Sequence, residues 1–64
     1  MDINITIFDN EPQEVGKKEH LPKLIRYISQ KMIEQIKEDY TQNEFYLQID
    51  GIPYNGIWEI NNIS

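Results

Sequence analysis

Residues 21–40 read LPKLIRYISQKMIEQIKEDY, and this stretch decides the fold. At 100° per residue, Leu21, Leu24, Ile25, Ile28, Met32, Ile33, Ile36 and Tyr40 fall in one half of a helical wheel. Lys23, Arg26, Gln30, Lys31, Glu34, Lys37 and Glu38 fall in the other half. That division predicts an amphipathic helix of about five turns with one face against a core. Pro22 suits the first turn, where a missing N–H costs nothing. Thr41-Gln42-Asn43 ends the pattern.

Upstream, residues 9–20 contain Pro12 and Gly16 and only one apolar side chain besides proline, Val15, so they read as a long loop. Before the loop, Ile3, Ile5 and Ile7 alternate with Asn4, Thr6 and Phe8 over residues 2–8. Period-two alternation predicts a strand whose Ile face meets a core. Downstream, residues 45–49 (Phe-Tyr-Leu-Gln-Ile) form a second alternating run, with Phe45, Leu47 and Ile49 inward. Thr41-Gln42-Asn43-Glu44 also matches a capping box, but the strand pattern after it overrides a second helix.

Two hairpin dipeptides follow, Asp50-Gly51 and Asn55-Gly56. Pro53 between them favours an irregular connection over 50–55, with a return strand at 56–60. The alternative is a tight turn at Asp50-Gly51, with pairing through Ile52–Tyr54 and a bulge near Gly56. Residues 61–64 are expected to fray. The expected fold is α+β, in the order β-α-β-β: a small three-stranded sheet with one amphipathic helix on one face, all in one domain over 1–64.

Composition narrows the function classes. A chain of 64 residues buries only ~60% of its unfolded surface, so small domains of this size lean on disulfides, metals or partners. There is no cysteine and one histidine, His20, so neither a disulfide nor a thiolate or histidine-cluster metal site is expected. Asp9, Glu11 and Glu14 share the loop, but an EF-hand count from Asp9 puts Glu14 where glycine belongs and His20 where glutamate belongs. No cofactor is expected. His20 beside Glu19 could serve as a general base, but it reads better as an exposed or helix-capping residue, and no nucleophile pairs with it. An enzyme is not expected.

The net charge is −5, with −3 on residues 1–20, +1 on 21–40 and −3 on 41–64. This argues against direct nucleic-acid binding, which leaves a basic footprint. No apolar run is long enough to span a bilayer and no signal segment is apparent, so a cytoplasmic location without membrane contact is expected. Twelve isoleucines, six asparagines and no alanine match AT-rich codon usage, as in low-GC bacteria, their phages or mobile elements.

The expected function is therefore a small acidic protein-binding module, acting as a regulator or inhibitor by docking. The alternative is a self-associating assembly subunit, a homodimer or larger. A nucleic-acid-mimicking inhibitor is a lesser alternative. Candidate interface residues are Tyr27, on the polar helix arc, and Tyr46, Tyr54, Ile57 and Trp58 in the C-terminal third. Between Tyr46 and Trp58, one is expected in the core and the other outside it. The sheet face opposite the helix, carrying Phe8, Tyr46 and either Ile57 or Trp58, is the expected contact surface.

Overall fold

The computed structural model describes residues 1–8 and 16–63. Strand β1 is Asp2–Phe8, helix α1 is Leu21–Ile36, strand β2 is Gln42–Ile49 and strand β3 is Ile52–Asn61. A turn of 3-10 helix, Lys18–His20, leads into α1. The expected α+β architecture and the β-α-β-β order are both present. The sheet order is β1-β3-β2, with β3 antiparallel to both neighbours. Strands β1 and β2 therefore run in the same direction with β3 between them, and α1 makes the crossover. The loop reading over 9–15, with its carboxylates Asp9, Glu11 and Glu14, lies outside the described residues.

The hairpin takes the tight form, not the irregular connection over 50–55. Asp50 and Gly51 both have positive φ, 52° and 80°, which is the two-residue turn whose twist matches that of paired strands. Ile49 then pairs directly with Ile52, and the ladder runs on to Gln42↔Glu59 without a bulge at Gly56. Pro53 was expected at an edge or in a loop, yet it lies in the central strand. It is tolerated there because alternate residues of β3 face alternate neighbours. Ile60 N–H donates to the Thr41 carbonyl, so even-numbered β3 residues bond toward β2 and odd-numbered ones toward β1. Pro53 owes β2 no N–H, and the described β1 pairing ends at Phe8↔Asn55, two residues beyond it.

Gly56 has a steric reason. A Cβ there would collide with the Thr6 carbonyl of β1 and come within 2.8 Å of the Phe45 ring. The ring occupies the space that a side chain at 56 would have taken, and Gly56 lets β1 approach.

Helix α1 ends at Ile36, four residues before the sequence pattern does. Tyr40 N–H donates to the Gln35 carbonyl and Asp39 N–H to the Ile36 carbonyl, both at 3.0 Å. With Asp39 at φ 69°, this pair of bonds is a Schellman closure. Asp is one of the few side chains that tolerate that backbone region. Tyr40 keeps the apolar period but lies outside the helix. The C-terminal residues are tied down further than expected: Asn61 pairs with Asp2, and the Asn62 amide donates to the Asp2 carboxylate at 2.7 Å.

The core is Leu24, Ile28 and Met32 from α1, Phe45 and Ile49 from β2, and Tyr54 and Trp58 from β3. Tyr27, Leu47, Ile52 and Ile60 pack around it. Trp58 is fully buried, and its indole N–H donates to Gln35 Oε1 at 2.9 Å, so its one polar atom is satisfied by the helix that covers it. Strand β1 supplies nothing to this core. Every one of its residues is exposed, against the expectation that its Ile face is covered.

Candidate functional site

Two features stand out against the bland background of a small core. One is a buried polar cluster, and the other is an uncovered apolar surface.

The cluster centres on His20, which is only 5% exposed. This corrects the expectation of an exposed or helix-capping histidine: His20 makes no side-chain cap and points into the fold. Its Nδ1 lies 2.8 Å from the Tyr54 hydroxyl and its Nε2 lies 3.1 Å from Asp50 Oδ2. The Lys17 backbone N–H donates to the same hydroxyl at 3.0 Å. A carboxylate only accepts, so Nε2 carries the proton toward Asp50. In the neutral ring, Nδ1 then accepts from the Tyr54 O–H, whose oxygen accepts from Lys17. Among the described residues no buried side-chain polar atom lacks a partner, Asp50 itself is largely exposed, and the His20 and Tyr54 rings meet edge-on, 5.8 Å apart.

This chain ties the start of α1 to the hairpin turn. Among the described residues it contains no nucleophile beside the histidine and no third acidic or histidine ligand. Its geometry is that of a structural pin, holding the start of α1 against the hairpin turn through hydrogen bonds. Nothing in the local sequence marks it, because His20 and its partners are more than 29 residues apart.

The pin also decides the fate of Tyr54, which is 6% exposed and so is core, not interface. Trp58 is corrected in the same way: its register with Asn43 and Ile5 puts it under α1. That sends Tyr46 outward, and only one of the two is buried, as the alternation requires. Tyr27 was expected in solvent. It is half-buried against the core, with Lys31 Nζ 5.9 Å from its ring centre. Ile57 is half-buried on the sheet face away from α1.

That outer face is less apolar than expected. The registers place Phe8, Asn55 and Tyr46 in one row, Thr6, Ile57 and Glu44 in the next, and Asn4, Glu59 and Gln42 in the third. Each large apolar group has polar or acidic neighbours. Phe8 and Tyr46 flank a shallow hollow floored by Asn55 and Gly56.

The larger uncovered apolar area is on the helix side. Ile5 pairs with Trp58 and Ile3 with Ile60, so the Ile face of β1 looks toward the same side as the core. Helix α1 does not reach it. The Tyr27 side of the helix shares a hollow with Leu47 and Ile49 of β2. The opposite flank, toward β1, presents Leu21, Ile25, Ile33 and Ile36, all between 41% and 56% exposed. Leu21 and Ile7 line one cleft together with Leu24 and Tyr54. The result is an open lane, floored by Ile3, Ile5 and Ile7 and walled on one side by the helix flank.

No helix among the described residues is long and apolar enough to cross a membrane. No family model, curated protein or solved structure matches the chain.

Proposed function

We propose that this protein is a small acidic binding module that works by docking on a protein partner, as a regulator or inhibitor, without catalysis. The observation that carries the reading is the open lane between β1 and α1. Seven Ile and Leu side chains of β1 and of the facing helix flank are 39% to 57% exposed, and Ile7 and Leu21 among them line one cleft. Contiguous apolar surface of this kind on a small domain marks a place where another molecule sits. Burying one such side chain fully is worth ~1.5–3 kcal/mol, so an occupant would recover several kcal/mol that the isolated fold leaves unused. The net charge of −5 supports specificity in docking and argues against a nucleic-acid ligand.

The test is affinity capture with the wild-type chain and with Ile25→Glu, a change at a half-exposed helix position. Partners that bind the wild type and are lost with Ile25→Glu support the reading, provided circular dichroism shows the variant folded. Identical captured sets for the two chains would remove the lane from consideration.

A further inference from the structure

Resting on the docking reading, we infer that the occupant at β1 is a second copy of this chain, joined edge to edge by antiparallel β1 pairing. Asp2, Asn4, Thr6 and Phe8 pair with odd-numbered residues of β3, the ones that bond toward β1. By alternation, the N–H and C=O groups of Ile3, Ile5 and Ile7 point away from β3, to an edge that no other strand among the described residues covers. The same three residues carry the uncovered apolar side chains.

Sheet edges are normally blunted by lysine, proline, a bulge or an inward charge. Strand β1 has none of these over its seven residues; its single charge is Asp2 at the end, and its register is continuous. The edge is also self-complementary. A two-fold axis through Ile5 sets Ile5 against Ile5 of the second copy, and Ile3 against its Ile7. All three are hydrogen-bonded pairs, so every outward N–H and C=O of Ile3, Ile5 and Ile7 is satisfied in one step. On the polar face Asn4 meets Thr6, and Asp2 meets Phe8 with no like charge opposite. The two Asp2 carboxylates lie about 20 Å apart along the strands, well beyond the ~8 Å screening length in physiological salt.

Charge separates this occupant from others. A basic partner would seek the acids, yet the edge offers only Asp2. Pairing yields a six-stranded sheet, β2-β3-β1-β1-β3-β2, with both helices on one side of a double strip of isoleucines. Edge pairing alone buries less than the ~800 Å² per partner of a standard interface, so the dimer forms in a concentration-dependent equilibrium.

Sedimentation equilibrium across a wide concentration range reads the mass. The expected result is a rise from one chain to two. Chemical synthesis with N-methylated Ile5 removes one outward N–H and keeps the side chain and all β1–β3 bonds. That chain is expected to stay monomeric and folded. Cysteine substitution then reads the register, because the protein has no thiol of its own. Ile5→Cys places two sulfurs on the axis, with Cα atoms about 5.5 Å apart and within disulfide reach. Ile3→Cys places them about 14 Å apart. Oxidation is expected to cross-link Ile5→Cys at least tenfold faster. A wild type that stays monomeric throughout, a methylated chain that still dimerises, or equal cross-linking rates would each overturn the pairing. Loss of the pairing with Ile25→Glu-sensitive capture retained leaves the docking reading standing; loss of both removes it as well.

Discussion

Ile5 and Trp58 face each other across the β1–β3 ladder, on the same side of the same sheet, and their fates differ completely. Trp58 is sealed beneath α1, while Ile5 is 43% exposed. Both lanes of the sheet alternate in the same way, the β1 lane with isoleucine alone and the covered lane with Phe45, Leu47, Ile49, Tyr54 and Trp58. What separates them is the width of the cover. A helix with side chains is about 10–12 Å across and strands are about 4.8 Å apart, so one helix roofs roughly two strands. Helix α1 lies over β2 and β3 and leaves β1 as the third. Alternation thus reports which residues share a face, and the number of layers decides whether that face is dry.

The sharpest way to break the contrast is to empty the covered lane. Trp58→Ala removes the largest fully buried side chain and orphans Gln35, and it should cost ~3–5 kcal/mol. In a fold this small that abolishes the thermal transition. Ile5→Ala, its cross-strand neighbour, should retain a cooperative melt. If the two variants melt alike, the lanes are not distinct.

Next in size is Ile28→Ala, expected to cost ~2–5 kcal/mol because Ile28 is wholly enclosed. Urea titration gives the difference directly. A variant whose midpoint matched the parent would mean that α1 sits on the sheet by another face.

A smaller effect is expected at the pin that holds the covered lane's end. Tyr54→Phe leaves the ring in place but strips the hydroxyl from His20 Nδ1 and the Lys17 N–H. Leaving buried polar groups unpaired costs ~1–3 kcal/mol, and amide exchange at Lys17 should accelerate with it. Unchanged stability and exchange together would show that the hydroxyl merely fills space.

These sites also show how much could be read in advance. Strand β1, the register class of β2 and the buried helix stripe followed from local periodicity, which is a property of neighbouring residues. Tyr46 and Trp58 do take opposite faces, but which of Ile57 and Trp58 meets the core depends on the hairpin register, which alternation within one strand leaves open. The failures are all non-local or conformational. The His20–Tyr54 pair spans 34 positions, so nothing near either residue announces it. The early end of α1 depends on Asp39 adopting positive φ while Tyr40 keeps the apolar period. The tight turn at Asp50-Gly51 had its dipeptide in plain view. Pro53 speaks against that turn locally, and its tolerance rests on which neighbour each β3 residue bonds. The bare face of β1 is invisible to any pattern, because its isoleucines alternate as faithfully as covered ones would.

The smallest expected effect is the most discriminating. Ile28 and Ile33 both belong to the apolar half of the helical wheel, yet Ile28 is wholly buried and Ile33 is 56% exposed. Ile33→Gln removes apolar surface that is already largely in water, so little transfer free energy is lost. Glutamine is also the better helix former by a few tenths of a kcal/mol, since it lacks the β-branch that restricts χ1 against the preceding turn. The two terms oppose each other, and the net change should stay within about ±0.5 kcal/mol. Measured in dilute solution, where the chain is alone, Ile33→Gln should therefore melt like the wild type while Ile28→Ala unfolds. A cost at Ile33 approaching that at Ile28 would mean that the flank facing β1 is already covered in the isolated chain, and that the open lane does not exist in solution.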